Sequence, residues 1–208
     1  MKLIDISHVL DENTPVFPGD YKTSLSVCKT LEKDGYNSYL LTSCLHTGTH
    51  IDMPMHLTCD DKTAADFPPG NFFAKGVLLD VRGEKTITVK PVHEDMISAG
   101  DIVLLFTGCD KNYARPEYFT DHPVIGEDMA EFLISKKIKM LGMDTPSPDH
   151  SPFKLHKKLL ESGIFILENL TNLQNLTGIA HFAVIALPLK IKAEAGFVRA
   201  VCLTQAPT

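Results

Sequence analysis

The chain has 208 residues, of which 44% are apolar and 22% charged, and its formal net charge is −6. That length fits one well-filled domain, which we expect over residues 1–208, and the composition is far from that of a disordered chain. The negative charge and the lack of a Lys/Arg-rich run argue against nucleic acid or an anionic membrane as the main partner.

Short apolar runs rich in β-branched residues predict strands along most of the chain. In chain order these runs cover 77–81, 86–89, 102–106, 138–143, 164–167, 179–187 and 197–203.

Fewer segments carry a helical pattern, and they cover 91–100, 126–137 and 153–163. In the last of these, His156 shares a helical face with Leu159 and Leu160, so its side chain should point inward. The elements show no regular βαβ rhythm. This order favours a single-domain α/β fold, with a strand-rich mixed sheet and few helices, over a doubly wound fold.

Charged residues interrupt the N-terminal segment 1–13 too early for the core of a signal peptide. The longest apolar passage, 182–189, is broken by Pro188 and is too short for a membrane span. We therefore expect a cytoplasmic location. The five cysteines are scattered without a CxxC pair, and we expect them to be mostly buried, reduced thiols.

One stretch, 46-HTGTHIDMPMH-56, concentrates three histidines and an aspartate. Such side chains can hold a zinc ion only if their ligand atoms converge to about 2.0–2.2 Å from it. A straight strand would separate His46 from His50 by roughly 13 Å, and a helix would not choose Gly48 or Pro54. We therefore expect the chain to bend at Gly48 and to bring His46, His50 and Asp52 together.

The ligand types in this stretch suit a catalytic site, because structural zinc usually has four protein ligands rich in cysteine. His56 lies beyond a proline, so we expect it to transfer protons rather than to bind metal. An isolated histidine beside apolar residues is more often a core or surface residue, and His8, His93 and His122 are interpreted in that way.

The same stretch matches the signature HxGTHxDxPxH, and the chain resembles the cyclase-like metal-dependent hydrolases, which include bacterial kynurenine formamidases and isatin hydrolases. The resemblance spans nearly the whole chain. It begins with 4-IDISHVLDENTPVFPGD-20, continues through 104-LLFTGCDK-111 and 141-LGMDTPSPD-149, and ends in 164-IFILENL-170 and 187-LPLKIKAEAGFVRA-200. It implies a fold of the swivelling β/β/α type. It also implies homo-oligomers, either dimers or tetramers, whose sites lie near subunit contacts.

The resemblance also implies a role for each matching residue. The family's metal ligands fall on His46, His50, Asp52, His156 and Glu168, and its proton-shuttling histidine falls on His56. A solvated strand end is the alternative interpretation of Glu168. A polar family loop near the site, with supporting roles, falls on Asp144, Ser147 and Asp149.

Phe17 stands where the formamidases carry a tryptophan that contacts an aromatic substrate. Phenylalanine can still stack on a ring, so Phe17 is the expected substrate-binding residue. Further candidates for an apolar pocket wall are Phe67, Phe72 and Phe73, and the alternative for Phe72 and Phe73 is a place in the core. The segment 192–200 also departs from the family pattern, because it lacks the usual second glycine.

The expected reaction is hydrolysis of an amide-type C–N bond in a small molecule, either an aryl formamide such as N-formylkynurenine or a cyclic amide. Hydroxide that forms on a bound divalent ion attacks the carbonyl carbon, and His56 passes a proton to the departing nitrogen. The expected cofactor is zinc, one or two ions, with manganese as the alternative.

Three other functions stay open at this point. One is a cyclase or lactone hydrolase of the same family. Another is a hydrolase with a cysteine nucleophile, Cys44 or Cys59, activated by a neighbouring histidine. The third is a non-catalytic binding module that a structural metal ion stabilises.

Overall fold

The fold is built on one large sheet in the computed structural model, which describes residues 1–204. The strands of this part of the chain are β1 (Lys2–Asp5), β2 (Ser24–Lys29), β3 (Ser38–Thr42), β4 (His50–Asp52), β5 (Phe73–Asp80), β6 (Thr86–Ile87), β7 (Ile102–Phe106), β8 (Val124–Ile125), β9 (Met140–Met143), β10 (Phe165–Glu168), β11 (Phe182–Ile185), β12 (Ala195–Phe197) and β13 (Val201–Thr204). The α-helices are α1 (Leu31–Asp34), α2 (His93–Met96), α3 (Glu117–Thr120), α4 (Glu127–Ser135) and α5 (Lys154–Glu161).

Nine of these strands form the main sheet in the order β1-β13-β11-β5-β7-β9-β10-β4-β12. The central strands β5, β7, β9 and β10 are parallel, and the other pairs are antiparallel. This arrangement confirms the expected mixed α/β fold with few helices.

Each face of the sheet is covered by an apolar core. For this reason all five residues of β7 are buried. Ile102 and Leu104 point into one core, whereas Val103 and Leu105 point into the other, because side chains alternate along a strand. Helices α4 and α5 cover the second core with their apolar faces, which include Leu133 from α4. The helical face of the sheet is the face that carries the candidate site.

The predicted single strand over 197–203 is wrong. The structure divides this region into β12, which pairs with β4, and β13, which pairs with β1 and β11. Only residues 198–200 separate the two strands, although the strands lie near opposite ends of the sheet order. The sheet therefore curls until its two ends approach each other.

Two other expectations are corrected. The helix predicted over 91–100 is limited to the single turn α2, because Ile97 adopts an extended backbone conformation. The cysteines are not mostly buried: Cys28 and Cys59 are exposed and Cys44 is partly exposed. Among the described residues, none of the helices is long and apolar enough to span a membrane. The cytoplasmic location stays a prediction.

A hairpin formed by β2 and β3 lies outside the main sheet. Val27 pairs with Tyr39 and Leu25 with Leu41, so these four side chains share one face of the hairpin. Val27, Tyr39 and Leu41 are all exposed in the single chain. The hairpin thus presents an apolar stripe to its surroundings.

Candidate metal centre

Strand β4 carries the centre of the site. His50 and Asp52 are two residues apart and point to the same face, while Ile51 between them points into the opposite core. Strand β10 runs antiparallel beside β4 and places Glu168 directly opposite His50. The carboxylate oxygen Oε2 of Glu168 lies 3.4 Å from Nε2 of His50, which in turn lies 3.4 Å from Oδ1 of Asp52.

His46 reaches the same place because the chain bends between β3 and β4. Gly48 has a φ of 65°, a left-handed conformation that glycine adopts without strain, and this confirms the bend expected there. The bend brings Nδ1 of His46 to 2.9 Å from Oδ1 of Asp52. The second ring nitrogen, Nε2, lies 3.3 Å from Oε1 of Glu194.

Helix α5 supplies the third histidine of the cluster. Nε2 of His156 lies 3.1 Å from Oδ2 of Asp52, and Nδ1 lies 3.8 Å from Oε1 of Glu168. The inward orientation predicted for His156 is confirmed, since only 3% of the residue is exposed. Asp52 therefore has one oxygen facing His46 and His50 and the other facing His156.

His56 lies at the open side of this cluster, at the end of a short 3-10 turn over Pro54–His56. Its ring centroid is 4.1 Å from that of His46 and 5.6 Å from that of His156. One ring nitrogen is also close enough to His46 and Asp52 for these three residues to share an ion. The geometry thus permits both a proton-transfer role and a ligand role for His56.

The buried polar atoms of the cluster fit a divalent ion. Among residues 1–204, Nε2 of His50, Nε2 of His156, both oxygens of Asp52 and Oε1 of Glu168 are buried and make no hydrogen bond of good geometry. Ring nitrogens of His46 and His156 nevertheless lie within ion-pair distance of Asp52. Buried polar atoms are nearly always paired, and unpaired carboxylate oxygens are especially unfavourable. These atoms point toward one another from three elements, and imidazole and carboxylate are ligands that zinc and manganese accept.

The same crowding perturbs the acidities of the ligands. Burial disfavours the charged form of His50, but the carboxylates of Asp52 and Glu168 outweigh it and raise its pKa to about 10. Burial alone would raise the pKa of Asp52, yet the neighbouring His46 and His50 hold it well below its usual range. Burial and repulsion by Asp52 both raise the pKa of Glu168.

His56 differs from the other histidines of the cluster. Burial lowers its pKa to about 4, and repulsion by the surrounding histidines adds to this effect despite the attraction of Asp52. A neutral imidazole at neutral pH can accept a proton. This is the protonation state that a base requires.

The tautomer of His50 follows from its surroundings. Nδ1 lies 2.9 Å from the backbone oxygen of Gly48, and a carbonyl oxygen can only accept a hydrogen bond. Nδ1 therefore carries a proton, and in the neutral ring the lone pair of Nε2 points toward Asp52 and Glu168. This is the usual arrangement for a metal-binding histidine.

The polar loop after β9 supports the site indirectly. Asp149 accepts hydrogen bonds from the backbone amides of Leu155 (2.7 Å) and His156 (3.4 Å), which fixes the first turn of α5. The Ser147 hydroxyl lies 3.4 Å from Nδ1 of His156. Asp144 instead accepts bonds from the loop after β7 and touches no histidine of the cluster through these bonds.

A cavity of about 240 Å³ opens beside the cluster. Its apolar wall consists of Phe17, Phe119 and Phe153, with Phe17 packed edge to face against the other two rings at centroid distances of 5.9 and 6.3 Å. The polar side is lined by His46, His56, Ser147, His156, Glu168 and Asn169, with Asp20 among the remaining lining residues.

Phe67, Phe72 and Phe73 do not line this pocket, so that expectation is wrong, whereas the alternative of a core position is confirmed for Phe72. Phe67 and Phe72 pack against Phe165, which is a core residue, and Phe73 starts β5 with an exposed side chain. Neither Cys44 nor Cys59 lines the cavity, which disfavours the cysteine nucleophile.

Several residues at the site carried no signal in the sequence. Phe119 and Phe153 lie far from the histidine motif in sequence, and only tertiary packing places them beside Phe17. Glu194 belongs to the segment 192–200, which departs from the family pattern. Its carboxylate lies where it can accept a hydrogen bond from Nε2 of His46.

Comparisons with known proteins agree with this geometry. Residues 4–150 match the family described as putative cyclase. The chain is 34% identical over 204 residues to the kynurenine formamidase of Bacillus cereus, and 32% identical over 206 residues to that of Bacillus cytotoxicus, with 95% of each chain covered in both cases.

Solved structures show the same fold. An isatin hydrolase bound to the product analogue thioisatinate superposes with a TM-score of 0.88, at 23% identity over 99% of this chain and 93% of that chain. Isatin hydrolase A from Labrenzia aggregata gives a TM-score of 0.87, at 22% identity over 98% of this chain and 94% of that chain. From the match over residues 4–150 and the identity to relatives over nearly its whole length, the chain belongs to the putative cyclase family.

Proposed function

We propose that this chain is a metal-dependent hydrolase that cleaves an amide-type C–N bond in a small aromatic substrate. The observation that carries the proposal is the convergence of five candidate ligand side chains at the polar end of an aromatic cavity. Four of them bury a ring nitrogen or a carboxylate oxygen that makes no hydrogen bond among the described residues. The similarity to kynurenine formamidases over 95% of the chain supports the same reaction class. We take the whole chain, 1–208, as one hydrolase domain.

The proposed ligands form two adjacent groups that share both carboxylates. His46 and His50 lie on the Oδ1 side of Asp52, and His156 lies on its Oδ2 side. Glu168 likewise directs one oxygen toward His50 and the other toward His156. This division favours two ions over one, with zinc as the proposed metal and manganese as the alternative.

When bound, a divalent ion would supply Lewis acidity, which activates a water molecule and polarises a carbonyl group. His56 stands at the mouth of the cluster, lines the cavity and is neutral at neutral pH, because its pKa is lowered to about 4 in the metal-free protein. In the proposed reaction it accepts a proton from the attacking water and delivers it to the departing nitrogen. Without that proton, the nitrogen would leave slowly.

Phe17 is the proposed contact for the substrate ring. Its edge-to-face arrangement with Phe119 and Phe153 leaves an apolar wall opposite the histidines, where a flat ring can lie with its carbonyl directed at the ligand cluster. An N-formyl aromatic amine and a cyclic aromatic amide both fit this description. A lactone of similar shape is the second candidate, because its carbonyl would occupy the same place.

The decisive experiment compares hydrolysis of N-formylkynurenine, formanilide, isatin and an aromatic lactone by protein with a measured metal content. We expect hydrolysis of one of the amides to exceed hydrolysis of the lactone, and to depend on the metal. Faster turnover of the lactone would favour the lactone hydrolase. Protein without divalent metal, after expression in medium supplemented with zinc and manganese, would contradict the proposal as a whole.

The variant His56→Ala separates catalysis from a structural metal. We expect hydrolysis to fall by a factor of about 10²–10⁴, which is typical for loss of a general acid–base, while the metal content stays the same. Loss of metal together with activity would instead assign His56 as a ligand. Unchanged turnover would support the non-catalytic binding module.

We also propose that the protein forms a homo-oligomer through the β2–β3 hairpin. An isolated two-stranded hairpin is only marginally stable in water, and this one has an exposed apolar face that includes Val27 and Tyr39. Light scattering should show a dimer or tetramer for the unmodified protein, and Val27→Lys with Tyr39→Lys should shift it toward the monomer. A monomeric unmodified protein would refute this part.

A further inference from the structure

Asn169 occupies a strained and buried position directly after the proposed ligand Glu168. Its φ of 56° lies in the left-handed region, which asparagine tolerates better than most residues. Only 4% of the residue is exposed. Its backbone oxygen accepts a hydrogen bond of 2.7 Å from the Thr49 hydroxyl, which holds the end of β10 against the start of β4.

The side chain of Asn169 connects a buried tyrosine to the bend beside His50. The Tyr118 hydroxyl donates a 2.8 Å hydrogen bond to Oδ1 of Asn169, which leaves the amide nitrogen Nδ2 facing Gly48. Nδ2 donates a 3.0 Å hydrogen bond to the Gly48 carbonyl oxygen. The same oxygen accepts the 2.9 Å bond from Nδ1 of His50.

The amide nitrogen of Asn169 also lies 3.4 Å from Nδ1 of His50. Both atoms carry hydrogen when Nδ1 donates to Gly48, so this approach is not a hydrogen bond. The effect of Asn169 on His50 therefore passes through the Gly48 carbonyl. That carbonyl belongs to Gly48, which lies in the bend before β4 and has no β-carbon, so its peptide groups are less restricted than those of other residues.

We propose that Asn169 and Tyr118 are positioning residues for the metal ligand His50. The two side chains fix the direction of the Gly48 carbonyl, and the carbonyl fixes the tautomer and ring orientation of His50. This inference rests on the proposed metal site. Partners of this kind typically change metal affinity by a factor of about 10–100 when they are removed.

The test measures zinc affinity by competition with a chromophoric chelator. Tyr118→Phe removes only the hydroxyl and keeps the buried ring, and Asn169→Gly removes the amide while keeping a residue that tolerates the positive φ. We expect each variant to bind zinc about 10–100 times more weakly than the unmodified protein. The double variant should bind no more weakly than Asn169→Gly alone, because the hydroxyl acts through the amide.

Tyr113→Phe is the matched control. Tyr113 packs edge to face against Tyr118 at a centroid distance of 5.2 Å, and its buried hydroxyl makes no hydrogen bond within the described part of the chain. The control should bind zinc as the unmodified protein does. The absorption bands of the cobalt-substituted protein should shift in Tyr118→Phe and stay in place in Tyr113→Phe, because they report the geometry of the ligands.

Unchanged zinc affinity and cobalt spectra in Tyr118→Phe would overturn the inference. Additive losses in the double variant would also overturn it, since the Tyr118 hydroxyl would then act through another group, such as the Asp144 carbonyl at 3.4 Å. If the unmodified protein bound no zinc, manganese or cobalt, the proposed metal site itself would be refuted. That outcome is distinct from a protein that binds metal but whose affinity does not depend on Tyr118 and Asn169.

Discussion

The variant Gly48→Ala tests whether the bend in the histidine motif is needed for metal binding. A β-carbon at this position would have its closest neighbour, Cδ1 of Leu10, at 3.5 Å, which is ordinary van der Waals contact. Steric overlap is therefore absent, and the penalty comes only from the φ of 65°. A left-handed conformation costs a residue with a β-carbon about 1–2 kcal/mol.

The metal-loaded protein must keep this bend, because the bend brings His46 and His50 to the same ion. The metal-free protein can relax it and so avoid part of the strain. We therefore expect Gly48→Ala to lower the free energy of unfolding of the zinc-loaded protein by about 1–2 kcal/mol. Any strain energy that the metal-free variant relieves by relaxing must be restored when zinc binds. Zinc affinity should therefore fall about tenfold for each 1.4 kcal/mol of strain relieved in this way.

Urea unfolding with and without zinc, together with a zinc titration, measures both quantities. Gly35→Ala is the matched control, because Gly35 also has a positive φ, 81°, with no atom within 4 Å of the added carbon, and it lies in the connection between β2 and β3. It should lose similar stability with and without zinc and keep its zinc affinity. Equal effects of the two variants on zinc binding, or full stability in Gly48→Ala, would refute the reasoning.

Three further predictions concern other parts of the molecule. Gly76→Ala would place a β-carbon 2.1 Å from the Phe182 ring. We therefore expect denaturant unfolding to show that the free energy of unfolding falls by about 3 kcal/mol or more. A smaller decrease would contradict the close packing of Phe182 on Gly76. Burial, with repulsion by His150, lowers the pKa of His122 to about 4. An unfolded histidine is protonated below pH ~6.5, whereas the folded His122 stays neutral down to about pH 4, so acid favours the unfolded chain. The free energy of unfolding should therefore fall by on the order of 3 kcal/mol between about pH 6.5 and about pH 4. Unfolding curves of His122→Phe should lack this part of the pH dependence. A chelator should abolish hydrolysis, whereas alkylation of the accessible Cys28, Cys44 and Cys59 should leave it intact. The reverse pattern would favour a thiol nucleophile.

The runs of apolar residues in the sequence predicted the central parallel strands of the main sheet best. The run 102–106 coincides with β7, because a parallel strand buried on both faces is apolar throughout and needs no information about its neighbours. The run 197–203 was misassigned for the opposite reason. Its two halves belong to distant parts of the sheet order, and the intervening residues 198–200 include neither a glycine nor a proline that would predict a break.

Within the candidate site, the sequence alone predicted the types of the converging side chains, the bend at Gly48 and the inward face of His156, because these follow from residue chemistry over a few positions. Only the tertiary structure decided which atoms meet. Antiparallel pairing of β4 with β10 sets Glu168 opposite His50, and α5 brings His156 to the second oxygen of Asp52. Phe119, Phe153, Glu194 and Asn169 joined the site through contacts between residues distant in sequence, and such contacts depend on the packing of the whole chain rather than on any local pattern.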